Sequence, residues 1–194
     1  IARYRRKGFI IACLDESTYG IAPVLRRGWA RRGSKPVALI NHTRDCMHVF
    51  GARTRHNFSF RFSSRLNQHA LLRFLDEIVL RWPRLLLFMD NAKWHHGKLI
   101  RAFCKRRRRT LRLAFFPPYS PELNPVEQCW KIGKAAIANR HFRTLPAMQY
   151  HVRNALNKEK VMPKYFEIYV PSYYTENWTS VCHQFFKTPV ISHM

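Results

Sequence analysis

The first half of the chain contains short apolar runs that are typical of β-strands. Residues 9–14 (FIIACL) are almost wholly apolar and are followed by Asp15 and Glu16, after which turn-prone residues continue to Gly20. Residues 58–62 alternate phenylalanine with polar residues, a period of two that is typical of a half-buried antiparallel strand. Together these runs predict strands over residues 9–14, 36–40, 47–52, 58–62, 85–89 and 111–116.

Other segments repeat apolar residues at every third or fourth position, which is typical of amphipathic helices. The clearest covers residues 67–81 and stops before Pro83. Further helices are predicted over residues 95–108, 126–140 and 145–158. Because the first strands are predicted to be antiparallel and the later ones alternate with helices, we expect an α/β fold with a mixed sheet.

The length of 194 residues suits one folded domain, which we place at residues 1–160. Residues 161–194 form a separate segment rich in aromatic residues, and their composition assigns them no role. The sequence begins at Ile1 rather than at a methionine, so we expect a fragment of a longer protein.

Positive charge dominates the composition. The chain has 35 Lys and Arg against 11 Asp and Glu, a formal net charge of +24. Its 46% of hydrophobic residues suffice for a sizeable core, which excludes a disordered basic tail. An excess of this size indicates a polyanionic partner, and nucleic acid fits because neutralising its phosphates releases counterions.

Membrane and disulfide-rich classes do not fit the sequence. The most apolar run, residues 85–89, is much shorter than the ~18–20 apolar residues of a membrane helix. The five cysteines are odd in number and contain no C-x-x-C pair, which argues against a disulfide framework and a zinc ribbon. We therefore expect no membrane association and a reducing compartment.

Two carboxylates follow predicted apolar strands. Asp15 follows the first strand and Asp90 follows the strand at residues 85–89. If these strands are parallel neighbours, the two side chains lie close together and repel each other unless a cation binds between them. Oxygen ligands of this kind suit Mg²⁺ or Mn²⁺, although a single acid at a strand end is also common as a turn cap.

A third carboxylate would complete the site, and Glu122 and Glu127 are the candidates. Asn124 is a good helix N-cap and Pro125 suits the first helical position, which places Glu127 at the third position of the helix, facing the loop. The same Asn-x-x-Glu spacing is typical of a capping box, so plain capping stays open. Glu122 lies in a proline-rich loop and is expected to be solvated.

Four blocks together carry a family resemblance. They are residues 14–17 (LDES), 28–33 (GWARRG), 89–95 (MDNAKWH) and 119–130 (YSPELNPVEQCW), and thirty-six residues lie between Asp90 and Glu127. In order and spacing they resemble the DDE transposase domain of mariner-like elements and their prokaryotic insertion-sequence relatives. The resemblance implies a ribonuclease-H-like fold with Asp15, Asp90 and Glu127 as catalytic and metal-binding residues.

The activity implied by the resemblance is cut-and-paste DNA transposition. Two divalent cations, Mg²⁺ or Mn²⁺, would support hydrolysis of phosphodiesters at transposon ends and then transfer of the 3′-hydroxyl to target DNA. Asp15 would bridge the ions, and Asp90 and Glu127 would each hold one. Glu16 lies on the opposite face of its strand and is not counted as a ligand.

Asn91 and His95 are candidate supporting residues, because both follow Asp90 closely. Asn91 would steady a ligand or the backbone, and His95 would contact a phosphate or orient a water; capping or surface roles are the alternative for both.

The resemblance also implies partners and location. Family members commonly carry helix-turn-helix modules before the catalytic domain and act as dimers on paired DNA ends. We therefore expect double-stranded DNA and a second copy of the chain as partners. The expected location is the nucleoid-associated cytoplasm of a prokaryote, or the nucleus of a eukaryote.

Basic residues beside aromatic ones predict the DNA-binding surface. Arginines flank Trp29, and a basic run covers residues 105–109, where a solvated helix end or a localisation signal is the alternative. For Trp29 and Trp94 we expect core packing rather than base stacking. The predicted DNA-binding residues are Arg26, Arg27, Arg31, Arg32, Lys93, Lys105, Arg106, Arg107, Arg108 and Lys131.

Two other functions remain open at this point. One is a domesticated nucleic-acid-binding module that keeps the fold without catalysis, although all three acids are present. The other is a related nuclease, such as a ribonuclease H or a junction resolvase, which the Ser-Pro-x-Leu-Asn-Pro-x-Glu block makes less favourable.

Overall fold

The computed structural model describes residues 1–157, apart from Pro23, Pro36, Ala38, Ile40, Asn41, His42, Tyr119, Pro121 and Glu122. The predicted C-terminal segment at residues 161–194 therefore lies outside the described residues, and so does Glu122. The division into two parts stays a prediction.

A five-stranded sheet in the order β3-β2-β1-β4-β5 forms the centre of the fold. Its strands are β1 (Ile10–Gly20), β2 (Cys46–Thr54), β3 (Phe58–Ser63), β4 (Leu85–Met89) and β5 (Leu111–Phe115). The first three strands pair antiparallel, whereas β1 with β4 and β4 with β5 pair parallel. The predicted mixed sheet is confirmed.

Helices cover both faces of the sheet. They are α1 (Ala2–Arg6), α2 (Gln68–Arg81), α3 (Lys98–Arg106), α4 (Val126–Ile137) and α5 (Leu145–Asn157). Because side chains alternate along β1, Ala12 and Leu14 pack on the side of α2 and α3, and Ile11 and Cys13 pack on the side of α4 and α5. The sheet thus has a hydrophobic core on each face.

The second helix shows how local sequence sets an element. Asn67 is the N-cap of α2, and its side chain accepts a hydrogen bond of 2.9 Å from the backbone N–H of Ala70. The helix buries Leu71, Phe74 and Ile78 at the predicted spacing and ends before Pro83. The prediction for this helix is confirmed.

The first strand is longer than predicted. Asp15–Gly20 was expected to leave the sheet, but this stretch pairs with β2 from Asp15 opposite Gly51 to Gly20 opposite Cys46. The ladder of backbone hydrogen bonds outweighs the turn preference of the side chains. Asp15 is therefore within β1 rather than at its end.

Several other boundaries also differ from the predictions. A short 3₁₀ helix, Lys93–His96, precedes α3, which begins at Lys98, and α4 ends at Ile137 rather than near residue 140. No strand forms at the described positions of the segment predicted at residues 36–40, where Val37 and Leu39 are exposed. In the part of the chain that the structure describes, no helix has the length and apolar character to span a bilayer.

Candidate active site

A cavity of about 410 Å³ opens where β1 runs past the end of β4. Cys13 pairs with Phe88, so Asp15 and Asp90 each lie two residues beyond this pair on neighbouring parallel strands. Both residues line the cavity, and Glu127 from the first turn of α4 completes its acidic wall. The structure thus places the three predicted carboxylates around one cavity, where their oxygen atoms do not all lie within 4.8 Å of one another.

Trp130 holds the carboxylate of Asp15. Its indole Nε1–H donates a 2.7 Å hydrogen bond to Oδ2 of Asp15. The ring has space because Gly51 faces Asp15 across the ladder, and a Cβ on Gly51 would lie 2.5 Å from Cη2 of Trp130. Trp130 belongs to the sequence block that carries the resemblance, but no local pattern predicts its contact with Asp15.

Asn124 connects the start of α4 to β1. Its Nδ2 donates to the carbonyl of Leu14 at 3.3 Å, and its Oδ1 accepts from the backbone N–H of Val126 at 3.2 Å. The helix begins at Val126, but Pro125 rather than Asn124 is its N-cap, so Glu127 is the second helical residue and not the third as predicted. Asn124 therefore fixes Glu127 relative to the residue that precedes Asp15.

Asp90 is the most exposed of the three carboxylates, with 56% of its side chain accessible. Its Oδ1 lies 2.7 Å from Nδ1 of His95 and accepts a 3.2 Å hydrogen bond from the backbone N–H of Ala92. The hydrogen bond from His95 lowers the pKa of Asp90, which keeps this carboxylate ionised.

His95 lies between two carboxylates. It is 1% exposed, and its Nε2 lies 3.0 Å from Oε1 of Glu16 while its Nδ1 contacts Asp90. Burial by itself lowers the pKa of His95, but the hydrogen bonds to Asp90 and Glu16 outweigh burial and raise the pKa to about 10. A protonated imidazole donates to both carboxylates, so the predicted contact with a phosphate is wrong for this buried ring.

Glu16 is on the opposite face of β1 from Asp15, as the alternation of the strand predicts, and it contacts His95 there. Burial raises its pKa. Strand alternation correctly places Glu16 away from Asp15, but it does not predict the link from Glu16 to Asp90. No local pattern shows this link, because the two residues meet only through His95.

Asn91 holds the backbone at the end of the sheet. Its Nδ2 donates a 2.7 Å hydrogen bond to the carbonyl of Phe116, just after β5. This contact ties the loop that carries Asp90 to the neighbouring strand, in agreement with the backbone role predicted for Asn91.

The charges at the site fit a cation. Burial raises the pKa of Asp15 to about 8, the negative charges of Glu16 and Glu127 add to this effect, and the Trp130 hydrogen bond opposes it. Such carboxylates favour a proton or a metal ion over bare ionisation. Their oxygen atoms, with open space in front of them, suit Mg²⁺ or Mn²⁺.

Within the described ranges, one set of residues places potential ligand atoms within 4.8 Å of one another: Glu16, Asp90 and His95. Both ring nitrogens of His95 already bind carboxylates, so this set is held together by its own ion pairs. The carboxylates that line the cavity are the better cation ligands, and Asp90 belongs to both groups.

The predicted DNA-binding residues fall into three places. Lys93 and Lys131 are exposed close to the cavity, since Lys93 follows Asp90 and Lys131 lies one turn after Glu127 on α4. Exposed basic residues also lie before β5, at the end of that strand opposite the cavity: Lys105, Arg106 and Arg108. The five-residue strand separates them from the cavity by about 16 Å.

Arg107 differs from its neighbours in that run. Its guanidinium binds Asp76 of α2 at 3.1 Å and lies 5.2 Å from the ring centre of Phe103. Its charge is therefore partly compensated within the protein, which argues against its predicted role in DNA binding.

The third place is the exposed loop between β1 and β2, which contains Arg26, Arg27, Arg31 and Arg32. Asn139 anchors this loop after α4, because its side chain accepts from the N–H of Arg26 at 2.8 Å and donates to the carbonyl of Arg26 at 3.0 Å. Trp29 is fully exposed, so the expected core packing is wrong for it. Trp94 packs against Phe50 with ring centres 6.2 Å apart, as expected for a core residue.

Parts of the chain are similar in sequence to known proteins. The sequence model of the family described as DDE superfamily endonuclease matches residues 10–149. The uncharacterized protein y4pE/y4sA of Sinorhizobium fredii is 34% identical over 74 residues, which cover 38% of this chain and 51% of that protein.

Solved structures share the fold at low sequence identity. The Mos1 transposase paired-end complex with left transposon end has a TM-score of 0.65 at 16% identity, over 92% of this chain and 58% of that chain. The Mos1 mariner paired-end complex with Mn has a TM-score of 0.64 at 17% identity, over 85% of this chain and 53% of that chain. This chain thus spans little more than half the length of these relatives.

The structural matches confirm the ribonuclease-H-like fold that the resemblance implied. The family match extends from the start of β1 into α5 and includes the three carboxylates that line the cavity. The chain therefore belongs to the DDE superfamily of endonucleases.

Proposed function

We propose that this chain is the catalytic domain of a cut-and-paste DNA transposase. The observation that carries the proposal is the meeting of Asp15, Asp90 and Glu127 from three separate elements in one cavity. Hydrolysis of a phosphodiester at a transposon end would come first, and attack of the freed 3′-hydroxyl on target DNA would follow.

Asp15, Asp90 and Glu127 would hold two divalent cations, with Asp15 between the other two ligands. When bound, such ions activate the attacking oxygen and stabilise the leaving oxygen at phosphorus. The raised pKa of Asp15 supports this assignment, because burial and then the negative charges of Glu16 and Glu127 disfavour an ionised Asp15 unless a cation lies beside it.

The remaining residues of the site would position the three ligands. Trp130 fixes Asp15, Asn124 fixes the start of α4 and hence Glu127, and Asn91 fixes the backbone after Asp90. Lys93 and Lys131 would bind phosphates that flank the scissile bond, because they are the exposed cations beside the cavity.

Double-stranded DNA is the proposed substrate. The net charge of +24 supports it, and the Mos1 paired-end complex that shares this fold contains a left transposon end. Homodimer assembly on two DNA ends, and a location with the DNA in the nucleoid or nucleus, belong to the same proposal.

Strand transfer tests the proposal most specifically. A labelled duplex with free 3′-hydroxyl ends is incubated with supercoiled plasmid, in Mg²⁺ or Mn²⁺ and with a chelator. We expect label to become joined to the plasmid in the presence of metal, and no joining with chelator or with Glu127→Gln.

Two other results would replace the proposal with the alternatives. Metal-dependent nicking without joining would indicate a related nuclease. DNA binding with neither nicking nor joining would indicate a catalytically silent binding module.

A further inference from the structure

We propose that Glu16 is a positioning residue, which acts through His95 to orient the carboxylate of Asp90 toward a divalent cation. This inference rests on the proposed function, since it takes Asp90 as a metal ligand. It assigns a role to an acid that the sequence pattern excludes from the ligand set.

The side chain of Asp90 needs neighbouring residues to hold it in one rotamer. It follows the last residue of β4, and 56% of its side chain is exposed. A carboxylate on such a loop has several rotamers open to it, and each additional rotamer weakens its value as a ligand. The two bonds that the structure describes for this carboxylate come from His95 and Ala92, and both engage Oδ1. This arrangement leaves Oδ2 to meet a cation.

His95 in turn needs Glu16. The His95 ring is 1% exposed, so solvent water cannot accept a hydrogen bond from its Nε2–H. Glu16 supplies that acceptor, with Oε1 3.0 Å from Nε2. The side chain of Asp90 and its backbone carbonyl, 3.1 Å from Nδ1, lie on one side of the ring and Glu16 on the other. Trp94 packs at 4.2 Å between ring centres, and His96 is close enough for its charge to act on the ring. Glu16 therefore fixes the ring rotation that aims Nδ1 at Asp90.

A direct ligand role for Glu16 does not fit its position. Its side chain is 10% exposed, faces away from Asp15 across β1 and is not part of the described cavity wall. Residues that hold a ligand in place without touching the metal typically contribute a factor of about 10 to 100 in metal affinity. That is the effect we expect from Glu16.

The test measures Mn²⁺ binding to the whole chain by the electron paramagnetic resonance signal of free Mn²⁺. Glu16→Met removes the acceptor at nearly constant volume and should weaken Mn²⁺ binding about tenfold to a hundredfold. Glu16→Gln keeps an acceptor for His95 and should stay within about threefold of wild type. Glu77→Met is the matched control. It removes an exposed acid of α2 that pairs with Arg61 of β3, and it should not change the affinity for Mn²⁺.

A double-mutant cycle tests the route through His95. His95→Asn keeps a donor near Asp90 but does not reach Glu16. In that background Glu16→Met should cause no further loss of affinity, because the connection is already broken. Urea unfolding identifies variants that are folded, and Glu16→Ala replaces Glu16→Met if the latter does not fold.

Three results would overturn the inference. Wild-type affinity in both Glu16→Met and Glu16→Ala would show that Asp90 needs no such support. An equal loss of Mn²⁺ affinity in Glu16→Gln and Glu16→Met would show that Glu16 acts directly. So would a loss of affinity in the Glu16→Met, His95→Asn double variant equal to the product of the two single losses. If the wild type itself binds no Mn²⁺, the metal part of the proposed function fails as well, so the two failures are distinguishable.

Discussion

At the scale of single residues, the site is a set of carboxylates whose surroundings are unequal. Asp15 is enclosed and has a raised pKa, whereas Asp90 is exposed, bound by His95 and has a lowered pKa. Asp90 is therefore ionised before a metal arrives, while Asp15 must first lose a proton.

Metal binding should consequently depend on pH. The pKa of Asp15 is about 8 in the folded chain and near 3.8 when unfolded, so the folded state holds an extra proton between these values. Stability without metal should fall as pH rises from about 4 to about 8 and level off above 8, because over this range only the folded chain still holds the proton. Mg²⁺ affinity should rise by up to about tenfold per pH unit from pH 6 to 8.

Thermal unfolding at pH 6.5 and pH 8.5, with and without Mg²⁺, measures both effects. We expect a larger stabilisation by Mg²⁺ at pH 8.5, and expect Asp15→Asn to abolish the difference. Equal stabilisation at the two pH values in the wild type would argue against proton competition at Asp15.

The Trp130 hydrogen bond gives a second prediction for a single residue. Trp130→Phe keeps an aromatic ring but removes the donor to Asp15, a bond to a charged group that contributes about 1.5–3 kcal/mol. DNA cleavage should fall about tenfold to a hundredfold. Trp82→Phe, the same change in another buried tryptophan, is the control, and equal cleavage by the two variants would rule out a specific role for Trp130.

At the scale of elements, β1 and α4 form the frame of the site. They run side by side, with Trp130 beneath Asp15 and Gly133 against Tyr19 one turn further along. The absence of a side chain at Gly133 allows this approach, because a Cβ there would collide with the hydroxyl oxygen of Tyr19.

Gly133→Ala should therefore destabilise the protein, by about 1–3 kcal/mol, although glycine to alanine within a helix normally stabilises. Urea denaturation measures the change. Adding Tyr19→Phe, which removes the hydroxyl, should restore part of the loss. A Gly133→Ala variant as stable as the wild type would show that β1 and α4 are less closely packed than the structure has them.

The elements also show what sequence patterns predict and what they miss. Helical periodicity predicted α2, which buries one face, and a continuous apolar run predicted β4, which is buried on both faces. The extension of β1 to Gly20 was missed because pairing with β2 comes from distant residues. The three carboxylates were found from motif and spacing, whereas the roles of Glu16 and Trp130 depend on contacts across 79 and 115 residues of sequence.

At the scale of the whole molecule, charge is distributed unevenly. Among the described residues, four of the seven acids lie at the site, while many basic residues are exposed around it and at the other end of β5. Binding to DNA should therefore be salt-dependent, with log affinity falling linearly with log salt in proportion to the number of phosphates contacted.

Replacing Lys93 and Lys131 together with Gln should lower the magnitude of that slope by about 1.8, which is about 0.9 for each lost contact. The control is Lys7→Gln, which replaces an exposed lysine just before β1, at the end of the strand far from the cavity. Fluorescence anisotropy of a labelled duplex at several salt concentrations measures the slopes. Equal slopes in all three proteins would mean that DNA does not pass beside the cavity.

Plasmid nicking tests most directly whether Asp15, Asp90 and Glu127 form one metal-dependent catalytic site. The initial nicking rate of supercoiled plasmid in Mn²⁺ is compared between wild type, Asp15→Asn and the control Asp76→Asn, which alters an acid paired with Arg107 on the surface. We predict a loss of about a thousandfold or more for Asp15→Asn, equal to about 4 kcal/mol, and no change for Asp76→Asn. Nicking by Asp15→Asn at the wild-type rate, or nicking that persists in chelator, would contradict the account.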